Sequence, residues 1–108
     1  MPLIHLSEID AKAIAPGYEA RFVHTDNMTF SYVNIKAGEP LQEHSHVNEQ
    51  VLNMLQGTFE LTLEGERLTL TPGMVVVIPS NTKHSGLAIT NCYILDVFYP
   101  VREAYKNL

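Results

Sequence analysis

The sequence predicts an all-β protein, folded as a small antiparallel sandwich or barrel. Three observations carry that prediction. Apolar and polar residues alternate over short runs, as in Thr58-Phe59-Glu60-Leu61-Thr62-Leu63, where Phe59, Leu61 and Leu63 share one face. Turn pairs such as Gln56-Gly57, Glu64-Gly65 and Pro72-Gly73 break the runs at short intervals. Signals for helix are confined to the two ends of the chain.

In chain order, Ser7 is placed to cap a short helical turn over Glu8 to Ala13, ahead of Pro16-Gly17. Tyr18 to His24 reads as the first strand, closed by Thr25-Asp26-Asn27. Met28 to Lys36 is the second, ended by Ala37-Gly38-Glu39-Pro40. Gln50 to Leu55, Thr58 to Leu63 and Arg67 to Leu70 follow, the last two joined by Glu64-Gly65 as a hairpin. Met74 to Ile78 is apolar throughout, of strand length and rich in valine. Asn91 to Tyr99 is the last strand, and it is apolar on both faces. Cys92, Ile94 and Phe98 lie on one face with Asp96 among them; Tyr93, Leu95, Val97 and Tyr99 lie on the other. One face is expected to line the barrel, the other to meet a partner subunit or a second sheet. Val101 to Leu108 suits a C-terminal turn of helix.

The 108 residues suit one domain, spanning 1–108. Apolar residues make up 45% and charged residues 18%, enough hydrocarbon for a core and little enough charge to suggest a partly buried outer surface. A homodimer is therefore expected. The net charge is -5, and the seven basic residues are scattered, so no nucleic-acid footprint is expected. A single cysteine, Cys92, excludes an internal disulfide and fits a reducing cytoplasm. No basic start precedes an apolar segment, and Met74 to Ile78 is far shorter than the roughly 20 residues a bilayer span needs. Neither signal peptide nor membrane partner is expected.

His44 and His46 are two apart, so on extended chain both imidazoles share one face. Two such rings in register are hard to explain as packing, and a metal taking one neutral nitrogen from each is the economical alternative. Their surroundings form the pattern G-x5-H-x-H-x3-Q-x6-G, then fifteen residues, then G-x5-P-x-N-x2-H. It runs over residues 38–57 and 73–88. This pattern resembles the two motifs of the cupin superfamily. The usual first motif has glutamate where Gln50 stands; the usual second motif has glycine where Asn81 stands and often asparagine where Ala88 stands. The resemblance implies a jelly-roll antiparallel β-barrel of six to eight strands with little helix. It also implies one divalent metal in the barrel mouth, held by His44, His46, Gln50 and His84. Asparagine tolerates positive φ, so Asn81 is a mild departure. A one-residue slip would bring Glu49 to the metal instead and turn Gln50 away.

Three histidines and a glutamine form a neutral shell. It leaves the full charge on the metal, favouring an anionic small-molecule substrate and Lewis-acid chemistry. Nickel, zinc, iron, manganese and cobalt all accept imidazole. The segments H-S-H-x-x-E-Q, L-x-G-x-F-E-L and L-D-V-F-x-P-x-R-E, at residues 44–50, 55–61 and 95–103, narrow the resemblance to small cupins of the KdgF type. Members of that family open 4,5-unsaturated uronates to linear keto sugar acids in pectin and alginate breakdown. On this reading Asp96 is a general acid/base, or pairs with a ligand's free N–H. Arg102 holds a substrate carboxylate, and Phe98 and Tyr32 shape the pocket wall. The alternatives are a metal-dependent oxygenase or isomerase on another small molecule, and a non-catalytic sugar-binding cupin.

Overall fold

The computed structural model describes residues 3–108, which form two antiparallel sheets. A 3-10 turn over Leu6–Glu8 leads into β1 (Lys12–Ala15), β2 (Tyr18–His24), β3 (Thr29–Ile35), β4 (Pro40–His44) and β5 (Glu49–Gln56). Then come β6 (Phe59–Leu63), β7 (Glu66–Leu70), β8 (Val75–Ile78), β9 (His84–Ala88), β10 (Cys92–Tyr99) and the helical turn α1 (Glu103–Lys106). Six strands form one sheet in the order β1-β2-β3-β10-β5-β8, and four form the other in the order β4-β9-β6-β7.

The core lies between the sheets. Val33, Ile35, Leu52, Met54 and Ile94 face inward from the six-stranded sheet and meet Phe59, Leu61, Leu70 and Ala88 from the other. Two-residue alternation produces this sidedness: β3 buries Thr29, Ser31, Val33 and Ile35 and leaves the residues between them partly exposed. The Glu64-Gly65 hairpin forms as predicted, and both residues have positive φ, 47° and 80°. That is the backbone a type I′ turn requires. Asn81 takes φ 60°, the left-handed conformation that glycine takes in the commoner motif.

Two parts differ from the sequence prediction. Glu8 to Ala13 is not a helical turn, because Lys12 and Ala13 pair with Ala20 and Glu19 and so join the sheet as β1. A partner strand across the Pro16-Gly17 turn outweighs a weak local helix preference. The strands β4 and β9 have no alternating signature in sequence. They form because they pair with each other, and β9 also pairs with β6. Of the two alternatives expected for the outer face of β10, a second sheet is not the one formed, because the four-stranded sheet packs on the inner side.

Gly86, inside β9, is a close-approach position: a Cβ there would fall on the ring of Phe59. Gly86→Ala should therefore cost about 1–3 kcal/mol by overpacking. Chemical denaturation checks this; an unchanged midpoint would mean that Phe59 moves aside freely.

Candidate metal centre

Three short segments converge at one end of the barrel. His44 ends β4, His84 begins β9, and the two are directly paired in the β4–β9 register. His46 sits in the bend that follows β4. The ring centroids of His44 and His84 are 4.2 Å apart, those of His46 and His84 5.1 Å, and those of His44 and His46 5.7 Å. One ring nitrogen of each lies within 4.8 Å of the other two.

Main-chain carbonyls decide the tautomers. His44 Nδ1 lies 2.8 Å from the Gln42 carbonyl, His46 Nδ1 3.0 Å from that of Asn48, and His84 Nδ1 2.8 Å from that of Thr82. A carbonyl oxygen only accepts, so each Nδ1 carries the proton and each Nε2 keeps its lone pair. The Nε2 of His84 is buried and has no hydrogen-bond partner among the described residues. Burial, and then the positive charge of Arg102, lowers the pKa of His46 to about 4. Burial also lowers that of His84, against the pull of its Thr82 hydrogen bond. Neutral, pinned imidazoles with inward lone pairs are the donor set a divalent transition metal takes, so these residues fit the ion that such a site implies.

Gln50 is buried on β5, with Oε1 3.1 Å from His46 Nε2 and Nε2 donating to Asp96 Oδ1 over 2.9 Å. Both Gln50 Oε1 and the neutral His46 Nε2 are acceptors. Two lone-pair atoms facing at that distance repel unless a cation lies between them. Glu49 is exposed, on the opposite side of β5 from Gln50. Register therefore turns Gln50 toward the histidines and Glu49 to solvent.

Asp96 faces the interior from the centre of β10, paired with Ser31 on β3 and Leu52 on β5. Among the described residues it is the only carboxylate lining the interior cavity. Burial pushes its pKa up to about 7, opposed by the Gln50 amide and the charge of Arg102. Phe98 presents its ring to His46 edge-on, with 5.6 Å between centroids. Arg102 begins the C-terminal turn, and its backbone N–H donates to Thr29 Oγ1 over 3.0 Å. Its guanidinium lies over Tyr105 and Phe98, 4.3 Å and 5.1 Å from the ring centroids.

The structure thus gathers His44, His46, Gln50, His84, Asp96, Phe98 and Arg102. It does not bring Tyr32 to them. Even-numbered residues of β10 pair with odd-numbered residues of β3, Asp96 with Ser31 and Ile94 with Val33. Tyr32 pairs with Leu95 and faces outward, so it does not shape the pocket wall. Residues that sequence reasoning did not reach are Tyr105, Thr29 and Asn48. Asn48 is buried and ties the bend to the C-terminal segment through Nδ2 and the Pro100 carbonyl, 2.6 Å apart. Only the three-residue spacing of Arg102 and Tyr105 on a helical turn could have signalled their pairing.

The interior cavity is small, about 50 Å³. A wider hollow of about 590 Å³ opens outside it, lined by Ile14, Leu41, His44, Arg102 and Tyr105 among others. That volume falls in the range of small-molecule sites, ~300–1,000 Å³.

The comparisons agree with this geometry. Residues 31–98 match the family model described as the Cupin domain. The structure of KdgF from Halomonas sp. is similar at 30% identity over 92% of this chain and 93% of that one, with a TM-score of 0.86. An RmlC-like cupin from Shewanella frigidimarina is 20% identical over 97% of this chain and 96% of that one, with a TM-score of 0.91. Salicylate 1,2-dioxygenase from Pseudoaminobacter salicylatoxidans is 20% identical over 81% of this chain but 28% of that one, with a TM-score of 0.77. Among curated proteins no sequence matches. The matched residues contain the paired histidines, the third histidine and the strand that carries Asp96. The chain belongs to the cupin family.

Proposed function

We propose that the protein is a metal-dependent isomerase that opens the ring of a small anionic sugar acid, a 4,5-unsaturated uronate, to the linear keto acid. The observation that carries this reading is the row Asp96–Gln50–His46. A buried carboxylate is hydrogen-bonded to an amide whose oxygen faces a neutral imidazole. Likeness to KdgF supports the choice of reaction. His44, His46, His84 and Gln50 would hold the ion, which supplies Lewis-acid polarisation of substrate oxygens.

This chain's own residues do the rest. The substrate lies in the outer hollow with its carboxylate on Arg102, whose guanidinium is already fixed over two rings and loses little freedom on binding. Asp96 takes the proton of the anomeric hydroxyl. The bond from the anomeric carbon to the ring oxygen breaks, leaving an aldehyde and an enol oxygen. Asp96 returns its proton to the ring-opened chain at C4, and the enol becomes a ketone. One proton has moved from oxygen to carbon, and no water or redox partner is consumed. Phe98 and Tyr105 wall the site beneath the guanidinium. The same reading takes the protein as a single-domain homodimer in the cytoplasm, in keeping with low charge and one buried cysteine.

Three outcomes are expected. Purified protein should carry about one divalent transition metal per chain by elemental analysis, and His84→Ala should remove it. Gln50→Leu should weaken metal binding roughly 10–100-fold. Full occupancy in both variants would sink the proposed ligand set. Metal-replete protein should abolish the ultraviolet absorbance of the conjugated double bond in an unsaturated uronate. No loss would defeat the proposed reaction, and loss of a different substrate only in air with bound iron would assign an oxygenase. Asp96→Asn should keep the metal and slow turnover by roughly 10²–10⁴-fold; unchanged turnover would remove Asp96 from the chemistry.

A further inference from the structure

One inward row of the six-stranded sheet runs from the metal centre to the C-terminal turn. Register aligns Gln50, Phe98, Thr29 and His24 across β5, β10, β3 and β2. Gln50 and Phe98 belong to the site already described; His24 lies beyond it. Thr29 is fully buried. Its Oγ1 accepts the backbone N–H of Arg102 over 3.0 Å and lies 2.8 Å from His24 Nδ1. Among the described residues it has no other hydrogen-bond partner.

A hydroxyl has one proton to give. The main-chain N–H of Arg102 only donates, so the Thr29 proton goes to His24 Nδ1, which is then an unprotonated acceptor. A charged His24 carries a proton on both ring nitrogens. Thr29 would then face two donors, and its own O–H would be buried with nothing to receive it, an arrangement that burial penalises. Aromatic rings follow the same path. His24 stacks on Phe22 with 5.7 Å between centroids, and Phe22 packs on Tyr105 at 4.8 Å. The Arg102 guanidinium lies 4.3 Å from the Tyr105 ring centroid. Backbone and guanidinium of Arg102 are thus both tied to the β2–β3 hairpin, one through Thr29 and one through Tyr105.

We propose that Thr29 and neutral His24 are positioning residues that set Arg102 for the substrate carboxylate, so that the grip of the C-terminal turn on an anion depends on the protonation of His24. This rests on the reading of Arg102 given above. The charged groups acting on the His24 ring are Lys106 and Glu103, both on α1, with Arg102 beyond Thr29 and the Tyr105 phenol beyond Phe22. Burial, then Lys106, lowers the His24 pKa below its ordinary 6.5, against the pull of Glu103. Folding therefore favours the neutral ring, so the docked turn is fully stable above pH 6.5 and loosens as pH falls below it.

The test is amide hydrogen exchange at Arg102 in the metal-replete full chain, read beside kinetics with an unsaturated uronate. Thr29→Val removes the acceptor at nearly constant volume and should lower the protection of the Arg102 N–H at least about tenfold. It should raise KM at least about fivefold with kcat within about threefold, the mark of lost binding rather than lost chemistry. Thr29→Ser keeps the hydroxyl and should restore both. In native protein the protection should fall as pH drops below 6.5. His24→Asn offers an acceptor that takes no charge and should abolish that fall, with every metal ligand unchanged. Equal protection in native protein and Thr29→Val would overturn the proposal, and so would lost protection with an unchanged KM. An identical pH response in His24→Asn would remove His24 from it. Should Thr29→Val fail to fold, the native pH response and its loss in His24→Asn decide the matter. If native protein leaves the uronate untouched, the reaction reading falls, while exchange at Arg102 still decides whether Thr29 and His24 hold the turn.

Discussion

Three hydrogen bonds from imidazole to main chain govern this site. Each donates an Nδ1 proton to a carbonyl two residues away, and each fixes a ring that would otherwise rotate. The consequence is electronic as well as geometric. With Nδ1 donating to a carbonyl in each ring, and with His46 and His84 desolvated by burial, the Nε2 atoms are left facing a common point. A buried nitrogen with no partner is costly in an apolar core, and His84 Nε2 is such a nitrogen. The barrel end is thus built to receive something electron-poor. The β4–β9 pairing exists in large part to bring His44 opposite His84.

A second polar chain runs at right angles to the first. Asp96 accepts from Gln50, and Gln50 turns its oxygen to His46. Asp96 lies on β10 and Gln50 on β5, neighbours in the sheet, so the bond forms across that strand pair. Arg102 closes the arrangement from above, held by Thr29 through its backbone and by Phe98 and Tyr105 through its guanidinium. At this end His84 Nε2, Ser31 Oγ and Arg102 Nε are buried without a hydrogen-bond partner among the described residues, while the opposite end of the barrel is filled by Tyr18, Met54 and Phe59. That asymmetry gives the barrel one open mouth.

The two faces of β10 meet different surroundings. Ile94, Asp96 and Phe98 point to the cavity, and Tyr93, Leu95, Val97 and Tyr99 point away from it. A strand apolar on both sides was visible in the sequence as a continuous run, and its double burden explains why it lacks the polar outer positions of β6 and β7.

Alternation by itself determined most of the β-strands, the hairpin at Glu64-Gly65 and the shared face of His44 and His46; the resemblance to cupins added His84. These features are local: the side-chain period of a strand is two, and a metal motif is a matter of residue intervals. The resemblance also placed the fourth ligand at Gln50 rather than Glu49, and one step along a strand reverses the face. Only the tertiary structure decided what depends on non-local register. Tyr32 faces out because its partner on β10 is Leu95, and Arg102 is anchored because Thr29, seventy-three residues away, accepts its backbone proton. The strands β4 and β9 carry no alternation of their own and form because each finds the other. A chain's period states which side chains share a face, but cross-strand pairing alone states which faces meet.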